Sequence, residues 1–80
     1  MTEIISTRLP EEIAKDLREI EKEEKADRAT IVRKLLARAI EQWKMERALR
    51  LYREGKVTLW RAARLGGLTL REMMELAAKE

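Results

Sequence analysis

The sequence predicts a mainly α-helical homodimer in which one N-terminal strand from each chain pairs across a two-fold axis. Apolar residues recur at spacings of three and four through most of the 80 residues, which is typical of amphipathic helices. Only one segment, residues 3–9, has the β-branched composition of a strand. A single strand has no pairing partner in its own chain, so a second copy is expected to supply one.

The strand residues 3–9 fall into two faces, because successive side chains of a strand point in opposite directions. Burying the face that contains Arg8 would place an unpaired charge in the core, which is costly. That face is therefore expected to point outward and to display Ile4, Ser6 and Arg8. The opposite face joins the second helix in the expected dimer core, which consists of Ile5, Thr7, Leu9, Leu36 and Ile40.

Two long helices are expected after the strand. The first covers about 10–24, since Pro10 suits the first turn of a helix. The second begins after Asp27, a good N-cap residue, and ends near Gly55, a residue type that often follows a helix. Its apolar residues cover a wide surface, which predicts a helix packed on two sides; they are Val32, Leu36, Ile40 and Trp43, flanked by Ile31, Leu35 and Ala39.

The C-terminal segment predicts two short helices. Thr58 can cap a helix over 59–65, Gly66 and Gly67 interrupt it, and Thr69 can cap a last helix over 70–79. A helix, a glycine turn and a second helix form the outline of a helix-turn-helix. The apolar surface of this pair is expected to serve packing or a partner protein, through Leu59, Leu70, Met73 and Met74. Both tryptophans, Trp43 and Trp60, are expected in the core, because neither lies in a basic loop.

Charge is distributed unevenly along the chain. The net charge is +3 overall, but residues 1–26 carry −3, residues 27–56 carry +5 and residues 57–80 carry +1. A basic middle third is typical of a protein with a polyanionic partner, although it does not specify which one. The expected domains are a dimerisation and DNA-binding domain over 1–45 and a helical, partner-binding segment over 46–80.

The composition argues against an enzyme. The chain has no Cys and no His, so it lacks a thiolate nucleophile, a Cys/His zinc site and the usual proton shuttle. We therefore expect no catalytic residue, no metal site and no cofactor. No apolar run approaches the ~20 residues that span a bilayer, and Glu3 and Arg8 interrupt any signal peptide. The expected location is the cytoplasm, away from membranes.

Three segments, "TRLPEE", "KADRAT" and "IVRKLLARAI", resemble the ribbon-helix-helix family of DNA-binding repressors and antitoxins over residues 3–45. The resemblance implies that a two-stranded ribbon enters the major groove and that Ile4, Ser6 and Arg8 touch base edges. An arginine at such a position can donate two bonds to guanine O6 and N7. The family also binds a phosphate at the start of its second helix, which here corresponds to Arg28, Ala29 and Thr30.

Residues 47–80 are similar to the tail of a family of small prokaryotic proteins regarded as candidate antitoxins, most recognisably in "GKVTLWRAARLGGLTLRE". The two resemblances together imply a sequence-specific transcriptional repressor that is also an antitoxin. The implied partners are double-stranded DNA, a second copy and a cognate toxin.

Two alternatives remain open at this point. In the first, the chain is a dimerisation or protein-interaction module whose ribbon does not read DNA. In the second, the C-terminal helix-turn-helix reads DNA. Its second helix balances Arg71 and Lys79 against Glu72 and Glu75, and this lack of net positive charge argues against insertion into a groove.

Overall fold

A computed structural model describes residues 2–79, which contain four α-helices. They are α1 (Glu11–Glu24), α2 (Arg28–Arg53), α3 (Leu59–Leu65) and α4 (Leu70–Ala78). The mainly α-helical class is therefore confirmed. The chain divides into an N-terminal unit, Met1–Lys34, and a C-terminal unit, Leu35–Glu80. The division lies within α2, as does the boundary after residue 45 that the sequence predicts.

The prediction of an N-terminal strand is wrong. Residues 2–10 form neither strand nor helix, and no strand occurs anywhere in 2–79 that could pair with them. The ribbon that was to place Ile4, Ser6 and Arg8 outside and Ile5, Thr7 and Leu9 inside is therefore absent. The preference of β-branched residues for strands depends on cross-strand packing, and nothing in the chain supplies it here. Without a pleated strand, the division into two faces also loses its basis.

The N-terminal unit consists of α1 and the first residues of α2. Pro10 precedes α1 with a φ of −57°, and Glu11 and Glu12 occupy the first turn, where negative charge favours the helix dipole. Leu17 on α1 and Ile31 on α2 are buried, at 9% and 1% exposure. Their burial holds the unit together, because its ion pairs lie at the surface, where each contributes little.

Charged side chains connect the end of α1 to the start of α2. Arg28 Nε donates to Glu21 Oε2 at 3.1 Å, and Lys34 pairs with Glu24. Between the two helices, Lys25 adopts the left-handed conformation with a φ of 51°. This single left-handed residue ends α1 and turns the chain into α2.

Glycine ends both α2 and α3 in the same way. Gly55 has a φ of +71°, its N–H donates to Tyr52 O at 3.0 Å, and Lys56 N–H donates to Leu51 O at 2.9 Å. These two bonds form a Schellman motif, which requires a left-handed residue that glycine supplies without strain. Gly67, with a φ of +68°, ends α3 with the corresponding pair of bonds. The predicted stop at Gly55 and the predicted glycine break after residue 65 are confirmed.

The C-terminal unit has its own small core, built where α3 and α4 pack on each other and on α2. Gly66 is buried, and a Cβ there would lie 3.3 Å from the Cβ of Ala48, so the turn approaches α2 closely. The buried cluster consists of Ala48, Leu49, Ala62, Ala63 and Met73. Half-buried residues around it are Tyr52, Val57, Leu59, Leu65, Leu68, Leu76 and Ala77.

A capping box begins α4 and fixes its position in the unit. Glu72 N–H donates to Thr69 Oγ1 at 3.1 Å, and Thr69 N–H donates to the Glu72 carboxylate at 2.8 Å. The backbone N–H of Thr69, followed by its hydroxyl, holds the pKa of Glu72 below its ordinary value of 4.5. Thr58 caps α3 in a similar manner by accepting from Arg61 N–H at 3.1 Å. Both predicted caps of the C-terminal helices are thus confirmed.

Replacing Thr69 by alanine is expected to lower the free energy of unfolding by about 1 kcal/mol, because the Glu72 N–H loses its side-chain acceptor. Denaturant titration followed by circular dichroism measures this loss. Replacement of Thr7, an exposed threonine outside the helices, by alanine is the control and should leave stability unchanged. Equal stability of the Thr69 variant and the wild type would contradict this role of the cap.

The same variant is expected to change how stability depends on pH. A carboxylate whose pKa is lower in the folded state stabilises the fold above its unfolded pKa. The Glu72 contribution is therefore complete above about pH 4.5 and is lost as the pH falls through the lowered folded value. In the Thr69→Ala variant the Glu72 pKa should rise part of the way toward 4.5, since one bond is lost, and NMR titration of the Glu72 carboxyl tests this. A Glu72 pKa that stays where it is in the wild type would contradict the assignment.

Candidate functional site

The helix α2 has apolar residues on two opposite sides. Ala48 and Leu49 are buried in the C-terminal unit, whereas Leu36, Ile40 and Trp43 are 52%, 46% and 57% exposed. At about 100° per residue, these last three lie on one side of the helix, opposite the buried pair. We call Leu36, Ile40 and Trp43 the α2 stripe. The predicted second packing side of this helix therefore faces solvent in the single chain.

Exposed, contiguous apolar side chains of this size usually mark an interaction surface. Leu36 and Ile40, which the sequence places in a dimer core, both belong to the α2 stripe. Val32, one turn earlier in the N-terminal unit, is 40% exposed. The expected dimer-core residues that lie outside α2, namely Ile5, Thr7 and Leu9, are all on the irregular, exposed N-terminal segment.

Positive charge surrounds the α2 stripe. The helix contains eight basic and two acidic residues. Arg47 lies one turn beyond the stripe, with its guanidinium 5.6 Å from the centre of the Trp43 ring. Within the described residues, the exposed side chains of Arg38, Lys44 and Arg50 form no ion pair. Cations without a carboxylate partner remain available to an external anion.

The start of α2 carries the residues that the resemblance assigns to a phosphate. Thr30 Oγ1 donates to Asp27 Oδ1 at 2.6 Å, and this bond lowers the Asp27 pKa from its ordinary value. Arg28 donates to Glu21 at 3.1 Å, and Ala29 is exposed. A phosphate bound here would have to replace these bonds and lie beside the Asp27 carboxylate. Contact of Arg28, Ala29 and Thr30 with phosphate stays a prediction.

The three residues expected to touch bases lie on the exposed segment before α1. Ile4 is 96% exposed, and Ser6 and Arg8 are exposed as well. The structure places them close in sequence but not on one face of a strand. A shallow cavity of about 300 Å³ lies nearby in the same unit, lined in part by Arg18 and Arg28. Each of these guanidiniums already contacts a glutamate, Arg18 through a 2.9 Å bond to Glu11.

The α3–α4 pair exposes part of the surface that the sequence assigns to a partner. Leu70 and Met74, one turn apart on α4, are 43% and 52% exposed. Leu59 is half-buried, and Met73 is fully buried in the core cluster. A partner protein that docks on this pair can therefore reach Leu70 and Met74 directly, whereas Met73 serves the packing of the unit itself.

Sequence reasoning misplaced both tryptophans and missed what they do. Trp43 and Trp60 are each 57% exposed instead of belonging to the core. The guanidinium of Arg64 lies 5.1 Å from the centre of the Trp60 ring, as Arg47 lies over Trp43. In both cases the arginine follows the tryptophan by four residues, a spacing that brings side chains together on a helix. That spacing was the available signal for two stacked, exposed pairs.

Two general searches complete the description. Among residues 2–79, no cluster of three or more acidic side chains is arranged to share a metal ion. None of the described helices combines the length and apolar character needed to cross a membrane.

Comparison with known proteins places most of the helical region in one family. The model of an uncharacterised protein family, UPF0175, matches residues 29–80. These residues contain nearly all of α2 together with α3 and α4, so the matched region includes the α2 stripe and the capped helix pair. Neither a curated protein nor a solved structure gave a significant match. The family model covers more than half of the chain, and the chain therefore belongs to the uncharacterised protein family UPF0175.

Proposed function

We propose that this protein is a homodimeric, DNA-binding transcriptional regulator that acts as the antitoxin of a toxin–antitoxin pair. The observation that carries the proposal is the arrangement of α2. One side of this helix is buried in its own chain, the opposite side is the exposed α2 stripe, and basic residues surround the stripe. Such a helix suits a protein that pairs with itself and presents positive charge to a polyanion.

Self-association follows from the α2 stripe. A two-fold contact brings the same surface of both chains together, so Leu36, Ile40 and Trp43 of one copy would meet the same residues of the other. A single core in a chain of about 80 residues rarely supplies more than 3–5 kcal/mol. Burying the α2 stripe adds apolar contact that the single chain lacks, which favours the dimer.

DNA binding is supported by charge. Residues 35–79 contain ten basic and five acidic side chains, and a dimer doubles this excess. Lys and Arg that neutralise phosphates release counterions, so such binding weakens steeply as salt rises. In the N-terminal unit, the exposed Arg8 can form a bidentate contact with guanine. Both units therefore contribute side chains to the proposed contact with DNA.

Replacing Arg8 by alanine is expected to weaken binding to a duplex selected from a random library by about 1–3 kcal/mol, the cost of one good base contact. Fluorescence anisotropy measures this affinity. The control is Lys22→Ala, which removes an exposed cation from the acidic helix α1 and should leave the affinity unchanged.

The two parts of this proposal can fail separately. If the wild type selects a duplex and the Arg8 variant binds it equally well, the base contact is wrong but DNA binding stands. If the wild type selects no duplex and binds DNA without salt dependence, the regulatory role itself is contradicted.

The antitoxin role rests on the similarity of residues 47–80 to candidate antitoxins and on the exposed pair Leu70 and Met74. We expect the wild type to co-purify with the product of the adjacent open reading frame when the two are expressed together. Met74→Lys should abolish this complex, because it places a charge in an apolar contact. Lys79→Ala, at an exposed position after α4, is the control. Failure of the wild type to retain the neighbouring product would contradict the antitoxin role.

A further inference from the structure

We propose that the outer face of α3, formed by Arg61 and Arg64, is a phosphate-contacting surface for double-stranded DNA. The inference rests on the proposed function and assigns to specific residues a contact that the two sequence resemblances place elsewhere. Its basis is the position of these two arginines in the charge distribution, in the helix and beside Trp60.

The first observation concerns charge. Residues 55–71 contain four basic residues and no acidic one, whereas acidic side chains occur regularly in the rest of the chain. Two of the four cations are already paired: Lys56 with Glu54 at 3.4 Å and Arg71 with Glu75 at 3.7 Å. Among residues 2–79, the side chains of Arg61 and Arg64 have no carboxylate partner. The free positive charge of this region is therefore concentrated on α3.

The second observation concerns how firmly α3 holds them. Ala62 and Ala63 are 0% and 3% exposed, so the inner side of the helix is buried in the core cluster. Arg61 and Arg64 are three residues apart and exposed, which places both on the outer side. The Thr58 cap and the Gly67 turn fix the two ends of the helix. A cation presented by a fixed backbone loses less conformational freedom on binding than one on a mobile segment.

The third observation is the stacking of Arg64 on Trp60. The guanidinium lies 5.1 Å from the ring centre, within the range of a cation–π contact. This contact restricts the arginine side chain before it binds and leaves its N–H donors free for a phosphate. Trp60 is therefore a positioning residue, which accounts for a tryptophan that remains 57% exposed.

An arrangement of this type fits phosphates better than base edges. A first helix that crosses the backbone is the usual role of the leading helix in a helix-turn-helix. Phosphate contacts position a protein on DNA without reading its sequence. Loss of such a contact should weaken all duplexes equally and reduce the salt dependence of binding.

The test measures the affinity of the full chain for a selected duplex and for an unrelated duplex across a range of salt concentrations. For Arg61→Gln and Arg64→Gln, the slope of log K against log[salt] should fall in magnitude by about 1 each. The preference for the selected duplex should stay the same. Arg18→Gln, which removes a cation already bonded to Glu11 on α1, is the matched control and should keep the wild-type slope. Circular dichroism of each variant confirms that its helices are intact.

Each outcome has a separate meaning. Wild-type slopes in both α3 variants, with the wild type still binding DNA, would overturn this inference and leave the proposed function standing. No binding of any duplex by the wild type would overturn both. Salt-dependent binding to vesicles containing phosphatidylserine, lost in both variants while the duplex slopes stay unchanged, would reassign the surface to an anionic membrane. A change in duplex preference would show base contact in place of phosphate contact and would also overturn the inference.

Discussion

Met73→Ala is expected to lower the unfolding free energy of the C-terminal unit by about 2–5 kcal/mol, the usual cost of emptying a buried Met site. Met73 is fully buried and is the largest side chain in the core cluster, whose other members are mostly alanines. A small core rarely supplies more than about 3–5 kcal/mol in total. The unit should therefore lose its cooperative unfolding transition in thermal and denaturant titrations.

The neighbouring Met74 provides a matched control for this prediction. It has the same side chain on the same helix but is 52% exposed. Met74→Ala should change stability by much less than Met73→Ala, because less contact is lost and no cavity forms. Comparable losses in the two variants would show that the core does not lie where the structure places it.

Ile40→Asp is expected to convert the dimer into a monomer. Ile40 lies in the middle of the α2 stripe, and a carboxylate buried in an apolar interface without a partner costs several kcal/mol. A cost of about 3 kcal/mol raises the dissociation constant of the dimer by roughly 100-fold. Sedimentation velocity over a concentration series measures this constant directly.

Ala37→Asp is the control for the dimer prediction. Ala37 is exposed on the same helix, about 100° round from Leu36, so it lies off the α2 stripe. It introduces the same charge with a similar effect on helix propensity and should leave the dimer intact. If the two aspartate variants dissociate equally, or if the wild type itself sediments as a monomer, the α2 stripe is not the dimer contact.

Helix boundaries were predictable because their signals are local. Pro10, Asp27, Gly55, Thr58 and Thr69 each mark the end of a helix within a residue or two, and each acts through bonds to its own neighbours. The same is true of the glycine turn after α3, where a left-handed residue is required. Such residues carry their information in the sequence itself, and the structure agrees with nearly all of them.

The N-terminal strand and the tryptophans were not predictable in the same way. A strand is stabilised by its neighbour, so composition alone cannot show whether residues 3–9 will form one. Trp43 and Trp60 fit a core by composition, yet each lies on the side of its helix that faces away from the buried cluster. Which side of a doubly apolar helix becomes the inner one depends on the packing of the other helices. In α2 that side was chosen by contact with the α3–α4 turn at Gly66.

The functional surfaces differ in how far the sequence anticipates them. Leu36 and Ile40 were expected at a dimer contact from their spacing, and both are exposed on one side of α2. Met73 and Met74 are adjacent in sequence and were expected to act together, but only Met74 is on the surface. A helical turn separates the directions of neighbouring residues by about 100°, and the packing of the unit decides which of them is buried.

The central claim is that two copies, joined through the α2 stripe, bind duplex DNA with their basic side chains. The most direct test is to titrate the wild type and Ile40→Asp into the selected duplex across a range of salt concentrations and to weigh the complexes by native mass spectrometry. The account predicts an even number of wild-type chains on each duplex and a linear fall of log K with log[salt]. It also predicts much weaker binding by the variant. Wild-type complexes that contain a single chain, or that bind with no dependence on salt, would contradict it.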